Sequence, residues 1–220
     1  KKGVLLASGG FEWNTELCRA FLAPELQHPV SPPSNTGDSL RMTMALGVEL
    51  GAMNECWWSP AVDIPGELYD GTQLHRCEFS VRCLPHSIIV NRRGRRFTNE
   101  SGNYNDMTKP FFDHDSVAYE RRNLPAWLVV DSQYLERYVL VSAMHGRPIP
   151  DYITVAETLD ELAAKTGIDA KGLAETVARI NHFAETGVDE DFGRGECAFD
   201  RFYGDPRQKP NPNLGSLAKA

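Results

Sequence analysis

The sequence predicts a mixed fold of strands and helices, and three observations carry that reading. The opening run GVLLASGGF, residues 3–11, is continuously apolar until Gly9 and Gly10, as in a buried parallel-type strand feeding a tight turn. Residues 87–91 (SIIVN) and 95–98, separated by Arg92, Arg93 and Gly94, carry the signal of a β-hairpin. Near the C-terminus, Thr158 and Glu161 form a capping-box pattern for a helix to about Thr166. A second helix over 171–185 places Leu173, Val177, Ile180 and Phe183 on one face and ends at Gly187, so the pair should pack as a helical hairpin.

The remaining elements follow from the same spacing rules. A helix is expected over 14–22, and another over 38–50, where Leu40, Met44, Ala45 and Val48 recur at helical spacing behind Thr36 and Gly37. Gly51 is the expected terminator of that helix. Residues 53–83 lose regularity, with Trp57, Trp58, Pro60 and Pro65, and read as a long connection with short strands. A strand over 126–131 precedes a short helix, and 210–220 reads as a Pro/Asn/Lys/Gly-rich tail without a closing element. The chain starts at Lys1 directly in a strand-like run, which suggests an excised piece of a longer protein.

Composition narrows the class. With 220 residues and 41% hydrophobic side chains, the chain can bury one ordinary core. A net charge of −7 argues against sequence-independent nucleic-acid binding, which needs clustered cations on phosphates. No apolar run approaches the roughly 20 residues of a transmembrane helix, and no secretory signal is visible. Five scattered cysteines point to a reducing compartment, so a cytoplasmic location is expected.

Several strings could carry chemistry. Residues 35–42, NTGDSLRM, put Asp38 at a helix start, where free backbone N–H groups favour an anion or polar ligand. On local features alone, however, this is simply a well-capped helix. Residues 88–106 concentrate Arg92, Arg93, Arg95, Arg96, Asn99, Glu100 and Tyr104, a cluster able to bind an acidic group or polarise a carbonyl. For the Arg pairs flanking Gly94 the solvated charged turn is the simpler reading. His75, Cys77, Cys83 and His86 are four conceivable zinc ligands, but their spacing matches no usual structural site, and no metal is expected. There is no GxGxxG, no phosphate-binding GxxxxGK[ST] and no GxSxG nucleophile elbow.

Four strings in order resemble the flavoprotein superfamily of fumarate reductases, succinate dehydrogenases and 3-ketosteroid Δ1-dehydrogenases, and the last of these most. They are LLASGGF (5–11), NTGDSLRM (35–42), IIVNRRGRRFTNES (88–101) and DEDFGRGECAFDRFYGDPRQKPNPNL (189–214). The resemblance implies an α+β fold, the catalytic cap domain of that superfamily over 53–220, with a fragment of the α/β FAD-binding domain over 1–52. It implies FAD as cofactor in the full-length enzyme, with Ser8, Gly9, Gly10, Thr36, Gly37 and Asp38 beside it. It also implies a small apolar ketone substrate, such as a steroid, and an external electron acceptor.

In the same resemblance, the position after Asn99-Glu100 separates two chemistries. Fumarate reductases carry an Arg there that delivers a proton, and ketosteroid dehydrogenases carry a Tyr that removes one. This chain has Tyr104, preceded by Asn103 where the steroid enzymes carry Pro. A tyrosine acting as base must give up a proton held with an ordinary pKa of about 10, which needs hydrogen bonds or positive charge nearby. Arg96 is the candidate source of that charge, or else a brace for its hairpin. Trp57, Trp58, Asn99 and Glu100 are the candidate lining of the substrate pocket, although one tryptophan at least should be core. The expected reaction is oxidation of a carbon–carbon bond next to a ketone. The alternatives are a fumarate- or enoate-reductase chemistry, or a non-catalytic module that keeps the fold. The piece by itself is expected to fold, hold FAD poorly and catalyse nothing.

Overall fold

Helix α6 (Ala170–Thr186) organises the larger part of the molecule. Asp169 starts it by accepting a hydrogen bond from Gly172 N at 2.6 Å, and left-handed Gly187 (φ 81°) stops it. Its apolar stripe, Leu173, Val177, Ile180 and Phe183, is buried against Ile88, Val90, Val129, Ile168, Leu214 and Leu217. Each such side chain contributes about 1.5–3 kcal/mol relative to exposure. Helix α5 (Leu159–Thr166) packs on α6, and Thr158 Oγ1 accepts from Glu161 N at 3.1 Å as the capping pattern requires. These coordinates are a computed structural model that describes residues 2–23 and 26–217.

By its internal contacts the chain divides into two units, residues 1–57 with 61–77, and residues 58–60 with 78–220. In the second unit, β3 (Ser87–Asn91) pairs antiparallel with β6 (Ala126–Val130), in register from Ser87 opposite Val130 to Asn91 opposite Ala126. The expected partner of β3, residues 95–98, forms no strand. Instead the chain turns tightly, with Gly94 N donating to Asn91 O (2.9 Å) and Asn91 N to Arg95 O (3.0 Å). The reason is packing. This turn is pressed onto the start of α6, where Asp169 N donates to Arg92 O at 2.8 Å and Thr176 Oγ1 to Gly94 O at 2.6 Å. A Cβ on Gly94 (φ 66°) would lie 2.2 Å from Leu173 N, and one on Gly172 would lie 1.9 Å from Arg93 O.

Short elements complete this unit: α3 (Tyr104–Thr108), the two-residue strands β4 (His114–Asp115) and β5 (Glu120–Arg121), α4 (Ser132–Arg137) and α7 (Ala198–Tyr203). The segment expected to be a loose tail is core as far as it is described. Leu214 and Leu217 are buried, and the Asn181 side chain grips Leu217 from both sides, accepting from its N–H at 2.7 Å and donating to its carbonyl at 3.1 Å.

The first unit holds α1 (Thr15–Phe21), α2 (Asp38–Ala45) and a hairpin of β1 (Ala61–Tyr69) with β2 (Thr72–Cys77). The hairpin replaces the irregular connection expected there, and its turn is Asp70-Gly71, both with positive φ (50° and 78°). Asp-Gly is the residue pair such a turn demands. Residues 3–7 are not a strand. Val4 and Leu5 are each 90% exposed, and among the described residues no neighbouring strand offers them the ladder that an extended backbone needs. Helix α2 ends at Ala45, with Gly47 (φ 69°) rather than Gly51 as its breaker. No helix among the described residues is long and apolar enough to cross a membrane.

Candidate functional site

In the first unit the structure brings the two suspected cofactor strings together. Gly37 N donates to Gly10 O (3.0 Å), Trp13 N to Asn35 O (3.1 Å), and Asn14 Nδ2 to Thr36 O (3.0 Å). Asn14 does double duty, since its Oδ1 also caps α1 through Leu17 N at 3.0 Å. The approach is close enough to require glycine: Gly9 (φ 91°) and Gly37 (φ 85°) hold left-handed conformations. A Cβ on Gly9 would lie 2.4 Å from Asn35 Oδ1, and one on Gly37 would lie 2.5 Å from Leu17 Cδ1.

The resulting edge is polar and accessible. Ser8 Oγ hydrogen-bonds Ser39 Oγ, Thr36 Oγ1 donates to Asp38 Oδ1 at 3.2 Å, and Ser8, Gly9 and Asp38 are exposed. Next to Gly10, Glu12 Oε2 is a buried acceptor with no hydrogen-bond partner among the described residues. A buried polar atom without a partner costs about 1–3 kcal/mol, so it calls for a donor from a ligand. A backbone cradle that excludes Cβ atoms, with hydroxyls, a carboxylate and an orphaned acceptor around it, fits a polar cofactor such as FAD. Glu12 went unnoticed in the sequence because an acidic residue after a glycine turn has no motif of its own.

In the second unit the residues flanking Tyr104 form a buried ionic network. The Arg96 guanidinium binds two carboxylates at once, donating from Nε to Glu100 Oε1 (2.8 Å), from Nη2 to Glu100 Oε2 (2.6 Å), from Nη1 to Asp189 Oδ1 (3.0 Å) and from Nη2 to Asp189 Oδ2 (2.8 Å). It also lies 5.0 Å over the Phe192 ring. Arg194, 1% exposed, donates to Ser101 Oγ (3.0 Å) and to the carbonyls of Ser87 (2.7 Å), Leu84 (2.9 Å) and Arg82 (3.1 Å), with Glu100 Oε2 at 3.5 Å. Burial alone would raise the Glu100 carboxyl, but the charges of Arg96 and Arg194 hold it below the usual carboxylate range. Asp189 follows the same pattern through its hydrogen bonds from Arg96. Burial pulls Arg194 down, yet guanidinium remains charged in proteins.

This network occupies several of the candidate residues. Arg96 braces its loop, its donors spent on Glu100 and Asp189. Glu100 is completely buried in those ion pairs, and Asn99 is occupied too, its Nδ2 donating to Asp200 Oδ2 at 2.9 Å. Tyr104 sits apart from this as the first residue of α3. Asn103 caps that helix by accepting from Asn105 N at 3.0 Å, and the half-buried Tyr104 ring meets the edge of Phe79 at 5.0 Å between centroids. Trp58 belongs to the same neighbourhood: its N–H donates to Asn105 Oδ1 at 3.1 Å, and its buried ring packs edge-on to Phe112 at 4.9 Å. Trp57, by contrast, is 86% exposed.

Asp189, Arg194, Asp200 and Asn213 were not singled out from the sequence. Their partners lie more than ninety residues away or arrive through a turn, as when Asn213 Nδ2 donates to Cys83 O (3.0 Å) and Asp200 O (2.7 Å). The four-ligand string is likewise dispersed in its bonding. Cys83 Sγ donates to Phe79 O at 3.3 Å and His86 Nδ1 hydrogen-bonds Ser216 O at 2.7 Å.

Comparison with known proteins gives this geometry its context. Residues 1–219 match the family described as "FAD binding domain". The chain is 45% identical over 217 residues to the 4-oxocyclohexanecarboxylate 2-dehydrogenase of Sinomonas cyclohexanicum, covering 98% of this chain and 38% of that protein. It is 40% identical over 227 residues to a 3-oxosteroid 1-dehydrogenase of Mycobacterium tuberculosis, covering 99% and 39%. It superposes with a TM-score of 0.84 and 33% identity on the 3-ketosteroid Δ1-dehydrogenase of Sterolibacterium denitrificans, solved in complex with 1,4-androstadiene-3,17-dione, over 96% of this chain and 38% of that one. The chain thus spans about two-fifths of the length of the curated relatives it matches. It belongs to the FAD-binding-domain family, the flavoproteins that include the fumarate reductases and the 3-oxosteroid dehydrogenases, and FAD is its cofactor.

Proposed function

We propose that the intact protein is an FAD-dependent dehydrogenase that introduces a carbon–carbon double bond next to the carbonyl of a ring ketone, either a 3-ketosteroid or a smaller oxocyclohexane acid. The observation that carries this reading is Tyr104, half-buried at the start of α3 and fixed by the Asn103 cap. The two relatives at 45% and 40% identity, both named for dehydrogenation of ring ketones, support it. In this reading residues 1–52 close the FAD-binding domain, with Ser8, Gly9, Gly10, Thr36, Gly37 and Asp38 beside the cofactor. Residues 53–220 form the substrate-capping domain.

The chemistry divides simply. Bound FAD supplies the hydride acceptor for the β-carbon. The side-chain oxygen of Tyr104 takes the proton from the carbon next to the ketone, and the electron pair left behind becomes the new double bond. The proton on Tyr104 then passes to solvent before the next turnover. Arg96 acts through Glu100 and Asp189, holding residues 96–100 in one conformation so that the α3 start presents Tyr104 the same way each time. Trp58 packs beside that helix as an apolar wall. The electrons leave to an external acceptor.

Anaerobic mixing of the intact protein with a 3-ketosteroid, with 4-oxocyclohexanecarboxylate, or with fumarate after prior reduction distinguishes the readings. Bleaching of the flavin by either ketone is the expected result, and which one bleaches it fixes the substrate size. Tyr104→Phe should slow that bleaching by about 10²–10⁴-fold with FAD still bound, the usual worth of a positioned proton acceptor. Reduction at an undiminished rate would remove Tyr104 from the mechanism. Reoxidation by fumarate without bleaching by either ketone would replace the whole reading with a reductase.

A further inference from the structure

We propose that His28, Asp63 and His75 form a binding site for one divalent transition-metal ion of the zinc class, on the β1–β2 hairpin of the first unit. Asp63 on β1 and His75 on β2 are direct cross-strand partners, so their side chains leave the same face of the hairpin. His75 Nδ1 contacts Asp63 Oδ1, and the separate segment carrying His28 brings its Nδ1 to 3.5 Å from Asp63 Oδ2. One ligand atom from each of the three lies within 4.8 Å of the other two. Ligands about 2.0–2.2 Å from a tetrahedral zinc stand roughly 3.3–3.6 Å from one another, so small side-chain rotations close the set.

The surroundings favour an ion over a plain salt bridge. The two imidazole rings stand 4.9 Å apart. One divalent ion can bind both imidazoles and the carboxylate together. His75 is held in place by its neighbours. Its side chain is 10% exposed and stacks on Trp13 (6.2 Å, 24° between planes), which is itself anchored by Nε1 donating to Ser31 O at 2.8 Å. His28 and Asp63, at 54% and 45% side-chain exposure, leave the opposite side open for entry and for water in the remaining position. Two imidazoles and one carboxylate with an open position suit zinc, cobalt or nickel, and not calcium or magnesium. The ion would tie the segment around residue 28 to the hairpin.

The test uses the intact FAD-loaded protein, stripped with a chelator, then titrated with Zn²⁺ by calorimetry and with Co²⁺ by visible absorption. One ion per chain is expected, with the visible bands of low-coordinate cobalt. Asp63→Asn and His75→Gln should each weaken Zn²⁺ binding at least about tenfold. His28→Gln alters an exposed side chain, so it keeps the test decisive if His75→Gln fails to fold, and it should weaken binding by the same order. His145→Gln, at an exposed histidine of the other unit, should leave it unchanged. Zinc binding no stronger than in the His28→Gln/His75→Gln double variant, or equal in all variants, would overturn the site. Flavin reduction by the ketone is read separately and bears on Tyr104 alone.

Discussion

The two units of this chain hold themselves together by different means. The second buries a continuous apolar cluster around α6 and threads a charged network, Arg96, Glu100, Asp189 and Arg194, through its interior. The first buries Cys18, Leu22 and Ile64, while Val4, Leu5, Leu46 and Trp57 are more than four-fifths exposed. What order it has comes from backbone: glycine approaches, helix caps and a two-stranded hairpin. The second unit therefore carries its stability inside itself. The first offers a polar edge suited to a large cofactor, with unspent apolar surface beside it.

The sharpest way to break this contrast is Arg194→Met. It removes six donor contacts of the buried guanidinium and leaves Glu100 with one cation in place of two. Truncating one side of a buried charged network costs about 3–5 kcal/mol, which a shift in denaturant midpoint of the second unit would report. A shift below about 1 kcal/mol would mean that the network adds little to that unit's stability.

Acid should act on the same unit with a smaller, graded effect. Glu100 and Asp189 are held below their ordinary range in the folded state, so the unfolded chain binds protons first. Their contribution is fully present above the unfolded carboxyl pKa of about 4 and is lost as pH falls through the lowered folded values. Near-ultraviolet dichroism of the folded aromatic residues should be flat from neutrality to about pH 4 and decline below it. A loss beginning near pH 6 would place the sensitivity in histidines instead.

The smallest effect belongs to the first unit. Leu5→Ser in the 220-residue chain should change thermal stability by no more than about 0.5 kcal/mol, because the side chain is 90% exposed. A larger loss would show that residues 3–7 pack in solution and would erase the difference between the units.

What could be read from the sequence follows the range of the interactions. The α5–α6 hairpin, the cap at Thr158 and the strand at 126–130 were legible because propensity, spacing and capping act within a few residues. Residues 3–7 misled for the opposite reason, since a strand depends on a neighbour that the local run does not name. The β3 partner was misassigned because Arg92–Arg95 look like a hairpin turn and do turn tightly, while β6 takes that edge from thirty-five residues further on, Asn91 facing Ala126. The Asp70-Gly71 hairpin had a recognisable turn pair hidden in an otherwise irregular stretch. Among the candidate residues, Tyr104 and the glycines were singled out by residue type, whereas the ion pairs of Arg96 and Glu100 appear only once Asp189 and Arg194 are seen to meet them.

The meeting of Gly94 with the first turn of α6 has a genetic corollary. At both Gly94 and Gly172 the atom that a side chain would strike belongs to the facing main chain, Leu173 N in one case and Arg93 O in the other. Most steric lesions can be rescued by trimming the side chain opposite, but here there is none to trim. A suppressor screen on Gly94→Ala should therefore return reversion to glycine, or changes that raise stability elsewhere in the unit, and no compensating substitution at the point of contact.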